Sequence, residues 1–284
     1  MRISKTMVVS TQAIAIDVLC AAVPELSKAR LKDAMNKGAV SWQRGKQQKR
    51  LRRAQSPVMP GEQLHLHYDS DLLQRSCEPA VLLADEGSFS VWFKPAGMLS
   101  QGNEWGDHLS LLREVELFHQ SKRAVFLLHR LDREASGLML IAHQQKTAAE
   151  LSQLIQQQQI NKKYQVLVLG KLDAAQLAAG QINTPLDGKA CETRFTAVQG
   201  WQQAQTTLLD ITLISGRKHQ IRRHFAEIGH PVMGDPRYGA HNQDPAGLGL
   251  QAVEVSFALA GGRRKYHFQL PPELRRYPLA TVPK

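Results

Sequence analysis

The chain has 284 residues, 43% of them hydrophobic, with a formal charge of +11 and a pI near 9.7. That length suits one large domain, or a large one with a small one, and the charge points to a polyanionic partner such as nucleic acid. No run approaches the roughly 18 apolar residues that span a bilayer, so no membrane partner is expected. The three cysteines, Cys20, Cys77 and Cys191, are scattered, which argues against a disulfide framework or a zinc ribbon and for a reducing, cytoplasmic home. Ser10, Thr11, Gln12 and Asp17 interrupt the mildly apolar N-terminal stretch, so no signal peptide is expected.

The positive charge is uneven. Residues 1–70 hold 12 Lys and Arg against 5 Asp and Glu, and the remaining residues hold 24 against 20. Residues 1–9 read as an extended lead-in. Ser10 or Thr11 can cap a helix that runs to Ala22 and ends before Pro24. Ser27 caps a second helix, Lys28 to Lys37, with Leu31, Ala34 and Met35 on one face and Gly38 as its stop. Lys28, Arg30 and Lys32 lie elsewhere on that helix. A short strand, Ala39 to Trp42, leads into RGKQQKRLRR, a basic loop carrying Arg44, Lys46, Lys49, Arg50, Arg52 and Arg53 without an acid. After Pro60-Gly61, the alternation from Gln63 to Tyr68 predicts a strand. A basic helix followed by a basic loop is a candidate phosphate-binding face. LSKARLKDAMNKGAV, the basic loop and GEQLHLHY together resemble the S4-type RNA-binding domain over roughly residues 10–69, so a small α/β domain of that type is expected over 1–69. Gln43-Arg44-Gly45 stands where that family usually has an asparagine-glycine turn.

Residues 70–78 read as a linker, and the larger domain is expected over 79–284. Strands are predicted at Ala80 to Leu83 and Ser88 to Phe93, closed by the turn Lys94-Pro95-Ala96-Gly97. Gln101 to Asp107 is polar and expected to be mobile. A helix from Leu109 to Gln120 follows, then two apolar runs, Val125 to Leu128 and Gly137 to Ala142. Each is too short for a good helix and reads as a buried strand. Further on, a helix is predicted over Lys146 to Gln159, strands over Gln165 to Leu169, Thr193 to Val198 and Thr206 to Ile214, and a helix over Lys218 to Ile228. Two closing strands within 250–271 turn around Gly261-Gly262. Strands outnumber helices and do not alternate with them, which predicts an α+β fold with a mixed, mostly antiparallel sheet.

Between the two apolar runs sit His129, Arg130, Asp132, Arg133 and Glu134. A carboxylate flanked by arginines stays ionised and acceptor-only, available as nucleophile or base. Three further segments accompany it: Phe93 to Gly97, Lys163-Tyr164, and GRKHQIRRH from Gly216 to His224. HRLDREASGL, KKY and GRKHQIRRH followed by GHPVMGDPRYG resemble, in order and spacing, the motifs of the RluA family of pseudouridine synthases, over residues 79–284. Ala135 stands where a threonine or serine is usual, and Gln101 near where a histidine often is. The resemblance implies isomerisation of uridine in RNA with no cofactor and no metal. It implies Asp132 as the catalytic carboxylate, Arg222 as the cation that pairs with and orients it, and Tyr164 as the residue that stacks on uracil or takes a proton. It also implies Arg130, with His129 beside it, at the edge where the target base is flipped out. By residue type alone His129 reads more readily as a hydrogen-bonded structural histidine than as a general base. His219 and His224 lack the acid or cysteine neighbours of a metal site.

Large-subunit (23S) ribosomal RNA is the expected substrate of a monomeric enzyme. Transfer RNA, or a non-catalytic role in RNA binding or ribosome assembly, is the alternative. A nuclease or glycosidase using Asp132 with a second acid would instead cleave the chain or free the base.

Overall fold

The structure is a computed structural model that describes residues 1–198, 201, 205–259 and 264–277. It divides into two compact units. One comprises Met1–Cys77 and Leu99–Lys122, the other Glu78–Met98 and Arg123–Lys284. Residues 99–122 thus belong with the N-terminal unit, although the sequence reading puts them in the larger domain.

In the N-terminal unit, β1 (Arg2–Val8), α1 (Ala15–Ala22), α2 (Lys28–Asn36), β3 (Val40–Arg44), β4 (Gln47–Arg50), β6 (Gln63–Asp69), α3 (Ser70–Gln74) and α4 (Leu111–Phe118) are joined by the two-residue pair β2 (Ala13–Ile14) and β5 (Pro57–Val58). The antiparallel sheet has the order β1-β6-β3-β4. Strand β6 alternates as expected, burying Leu64, Leu66 and Tyr68 in a core with Leu31, Ala34 and Met35 of α2. Each such leucine contributes about 1.5–3 kcal/mol by leaving water. Ser27 caps α2, its side chain accepting from the Arg30 amide at 3.3 Å.

Several local expectations give way to long-range pairing. The lead-in is strand β1, in register with β6 from Arg2↔Asp69 to Val8↔Gln63. Ser10 and Thr11 do not cap α1. The helix begins at Ala15, and the amides of Ala15 and Ile16 donate to the carbonyls of Ser56 and Ala54 at 2.9 and 3.1 Å, so no side-chain cap is needed. The basic loop is a hairpin: Gly45, at φ 55°, starts a two-residue turn and Gln47–Arg50 pairs back on β3. The expected linker contains α3, capped by Asp69. Gln101 to Asp107 is tied down, since Arg50 donates to the carbonyls of Asn103 and Glu104, and Arg52 to the Asn36 carbonyl and the Asp107 carboxylate.

The second unit is an α+β structure. Its strands are β7 (Val81–Asp85), β8 (Phe89–Lys94), β9 (Phe126–Leu127), β10 (Ser136–Ala142), β11 (Asn161–Leu169), β12 (Gln181–Ile182), β13 (Thr193–Ala197), β14 (Thr206–Leu213), β15 (Leu250–Ala258) and β16 (Lys265–Gln269). Its helices are α5 (Gln145–Gln156), α6 (Ala174–Ala179) and α7 (Gln220–Glu227). The sheet runs β12-β13-β14-β11-β15-β10-β8-β7, with β16 on β15 and β9 on β10. Its described pairings are antiparallel except β10–β15, which is parallel at Ser136↔Gln251 and Gly137↔Ala252. The predicted Gly261-Gly262 turn lies outside the described residues.

The short parallel contact positions the site. Gly137, at φ 122°, lets β10 approach β15 so closely that a Cβ there would collide with the Ala252 backbone. Beyond it β10 leaves β15, and β9 takes over that edge of β10 at Ile141 and Ala142. The chain from β9 back to β10 carries His129, which lies beside Leu140 where β10 has left β15, and then Asp132, four residues before the paired Ser136. One core, including Tyr164, Phe195, Ile221 and Phe225, packs α7 on this part of the sheet. A second, including Phe89, Leu140, Leu151 and Val255, packs α5 on the rest.

Candidate active site

The loop bearing Asp132 is fastened by backbone and by a buried ammonium. Lys94, at the end of β8 and fully buried, donates from Nζ to the carbonyls of Pro95, Met98 and Ala135 at 2.9, 2.8 and 2.7 Å. The Gly97 amide donates to the Arg133 carbonyl at 2.7 Å. The Lys94-Pro95-Ala96-Gly97 turn and the Asp132 loop are therefore one assembly. A charged donor surrounded by carbonyls offsets part of the cost of its burial.

Arg222 comes from α7. The sequence places it at the margin of an apolar helix face, but its side chain is only 1% exposed. Two carboxylates make that burial tolerable. Nε and Nη2 donate to Oδ2 and Oδ1 of Asp235 at 2.7 and 2.9 Å, a two-pronged match of guanidinium and carboxylate. Nη1 donates to Asp132 Oδ2 at 2.9 Å and lies 3.7 Å from Glu134 Oε2. Asp235 is fully buried and also accepts from the amides of Arg237 and Tyr238 at 2.8 and 3.1 Å. Burial alone would push Asp235 up, but Arg222 and these amides outweigh it and hold the carboxyl below its usual range. Burial likewise opposes the Arg222 charge, and the two carboxylates more than restore it, so Arg222 is permanently cationic.

Asp132 is the open end of this network. Its side chain remains 24% exposed, and Oδ1 has no hydrogen bond among the described residues. His219 Nε2 stands 3.6 Å from that oxygen. The geometry offers one carboxylate oxygen held by a buried cation and another faced by an imidazole at 3.6 Å.

Tyr164 is buried in the same core, on β11. Burial first, and the nearby Asp132 charge second, push its phenol well above the ordinary tyrosine value. It therefore stays protonated at neutral pH. His129 follows β9, and its Nε2 accepts the Leu140 amide at 3.2 Å, where β10 has lost β15 as a partner. Burial, aided by the charge of Lys162, pushes the ring down to about 3, so it is neutral. The ring thereby ties the segment that follows β9 to β10. Arg130 is exposed, with no hydrogen bond or ion pair among the described residues.

The sequence drew no attention to Asp235 or Tyr238 as site residues. Asp235 lies within GHPVMGDPRYG, so the signal was its recurrence after GRKHQIRRH, not any local chemistry. His224 is structural, bonded to Thr193 Oγ1 and the Thr184 carbonyl at 2.9 and 3.0 Å.

In the N-terminal unit, Arg30, Lys32, Lys46, Lys49 and Arg53 are exposed. Lys28 pairs with Asp17 at 3.4 Å and Arg44 with Glu62 at 3.0 Å. Arg50 and Arg52 face inward on the 103–107 segment, as described above, so they serve the unit's own structure.

The fold is that of the pseudouridine synthases. Human RNA pseudouridylate synthase domain containing 1 superposes with a TM-score of 0.56 at 18% identity, covering 69% of this chain and 85% of that one. The sequence carries the assignment further. The RNA pseudouridylate synthase family profile matches residues 88–227. An uncharacterized RNA pseudouridine synthase of Mycoplasma genitalium is 30% identical over 233 residues, 74% of this chain and 73% of that protein. Ribosomal large subunit pseudouridine synthase D of Nitrosomonas europaea is 33% identical over 189 residues, 61% of this chain and 54% of that protein, so the match spans about half its length. The chain belongs to the RNA pseudouridylate synthase family, as the RluA-type motifs implied, and is a pseudouridine synthase.

Proposed function

We propose that this enzyme isomerises specific uridines of large-subunit ribosomal RNA, with Asp132 as the catalytic carboxylate. The observation that carries the reading is the half-open Asp132, one oxygen held at 2.9 Å by a buried arginine and the other without a hydrogen bond among the described residues. The reaction breaks an N-glycosidic bond, turns the uracil and rejoins it through C5, which loses its hydrogen. A carboxylate held in this way can attack the base or the sugar, or take a sugar proton, and the Arg222–Asp235 pair orients it at no reorganisation cost. Tyr164 forms an apolar wall for the uracil ring. Arg130, exposed and unpaired among the described residues, occupies the space that a flipped nucleotide leaves. The N-terminal unit acts as an S4-like RNA-binding domain, supported by its exposed Arg30, Lys32, Lys46, Lys49 and Arg53. The ribosomal choice is supported by the named activity of the Nitrosomonas europaea relative.

The test is tritium release from ribosomal and transfer RNA transcripts labelled at uridine C5, with wild type and Asp132→Asn. Release from ribosomal RNA by wild type alone is the expected result. Release from transfer RNA only would move the substrate. Equal release by the Asp132→Asn enzyme would remove Asp132 from the chemistry, and no release with RNA binding intact would favour an assembly role.

A further inference from the structure

Asp132 is addressed by two residues of one helical turn. Arg222 holds Oδ2, and His219, three residues earlier and just before the helix, points Nε2 at Oδ1 from 3.6 Å. The position of His219 is unusual for its residue type. It sits at the N-cap of α7 with φ 54° and ψ 30°, in the left-handed region that a side chain other than glycine or asparagine enters at a cost. The ring does not cap the helix. Gln220 satisfies that bend instead: its Oε1 accepts from the Arg217 amide and Ser215 Oγ at 3.0 and 2.9 Å, and its Nε2 donates to the Glu192 carbonyl at 2.9 Å. The left-handed backbone therefore serves to aim the imidazole.

The other ring nitrogen is engaged. His219 Nδ1 lies 2.9 Å from Tyr238 Oη, and the two rings meet edge to face at 5.6 Å. Tyr238 is fixed in turn, with its amide on Asp235 and its ring 5.3 Å from the Arg222 guanidinium. The contacts close a circuit from Asp132 through Arg222, Asp235, Tyr238 and His219 back to Asp132. If Tyr238 donates its hydroxyl proton to Nδ1, the proton of neutral His219 is on Nε2, facing Oδ1.

We propose that His219, with its tautomer set by Tyr238, is a positioning residue that orients the free oxygen of Asp132 for reaction. This rests on the reading of Asp132 as the catalytic carboxylate. A carboxylate held at one oxygen can still rotate about its side-chain bond. A donor facing the second oxygen defines its plane, and orientation of this kind is worth up to about a hundredfold in rate. The charged and titratable groups around the ring are Asp132 on the loop, Lys218 and Arg222 on its own segment, and Arg237 and Tyr238 on the following turn. Burial lowers the imidazole below its ordinary value, against the pull of Asp132, so the working form at neutral pH is neutral. Protonation would bind Oδ1 in an ion pair and quench it.

Two variants separate aim from bulk. His219→Gln extends an amide nitrogen to the place of Nε2 and keeps the donor toward Asp132. His219→Asn suits the left-handed backbone but ends near Nδ1 and reaches only Tyr238. With C5-tritiated RNA, the Asn variant should lose about ten- to a hundredfold in kcat and the Gln variant several-fold less, each with KM near wild type. Wild-type kcat should fall in acid as the imidazole ionises, and both variants should lack that limb. Equal kcat and an unchanged acid limb in both variants would overturn the proposal. So would losses that merely follow a fall in melting temperature, with Gln and Asn ranked by stability. An inactive wild type would instead remove the functional reading beneath it.

Discussion

Replacing Asp235 by asparagine should damage the fold more than replacing Asp132, the proposed catalytic carboxylate. Asp235 is fully buried and takes two hydrogen bonds from Arg222 and two from backbone amides. Asparagine turns one acceptor oxygen into a donor aimed at another donor and leaves Arg222 facing Asp132 alone. Breaking a buried charge pair from one side costs about 3–5 kcal/mol. For a unit of this size each kcal/mol is worth roughly 2–4 °C, so the melting transition should drop by about 6–20 °C. Asp132→Asn removes a single bond from a carboxylate that is still 24% exposed, and Arg222 keeps Asp235 as its counter-ion. Its cost should be about 1 kcal/mol, while turnover disappears. Calorimetric scans of both variants, with tritium release measured alongside, compare the two losses. An Asp132→Asn enzyme that unfolds as early as Asp235→Asn would refute the division into a buried half for stability and an open half for reaction.

Three other outcomes follow from the same structure. The folded state holds His129 down to about 3, against about 6.5 when unfolded, so the unfolded chain takes up its proton first. The stability tied to that neutral ring is complete above pH 6.5 and is lost as pH falls toward 3, by on the order of a few kcal/mol. His129→Gln, which can still accept the Leu140 amide, should flatten that slope in denaturant titrations, and an unchanged slope would contradict the assignment. Lys94→Met removes the donor shared by the Pro95, Met98 and Ala135 carbonyls. It should cost about 3–5 kcal/mol and depress kcat more than KM, and an enzyme with normal kcat would show that the clamp is not needed. Replacing Lys46, Lys49 and Arg53 together by glutamine should reduce the salt dependence of RNA affinity, with a slope smaller by about 2, whereas Arg52→Gln should lower stability instead. Filter binding over a salt series reads the first and thermal melting the second.

Much of the site was visible as pattern. HRLDREASGL, KKY and GRKHQIRRH mark the Asp132 loop, Tyr164 and the helix of Arg222 because each is a run of neighbouring residues. The same holds for the elements that local chemistry determines. Ser27 before the Leu31, Ala34 and Met35 stripe announces α2, and the alternation of β6 announces its buried face. These depend on hydrogen bonds and periodicities within a few residues, which a sequence displays directly.

What the tertiary structure alone decided lies in contacts between distant residues. Strand β1 and the start of α1 exist because β6 and the carbonyls of Ser56 and Ala54 receive their amides. Arg222 looks like a surface residue until Asp235 and Asp132, 13 and 90 positions away, close on it from two sides. The parting of β10 from β15 is what turns His129 into a backbone acceptor, and the turn at His219 is what aims an imidazole at Asp132. A buried charge or a left-handed histidine is unfavourable in isolation and is stable only when its partners are already in place. The sequence therefore carried the catalytic motif and the class of fold, and the three-dimensional packing assigned the partners that hold that motif in working order.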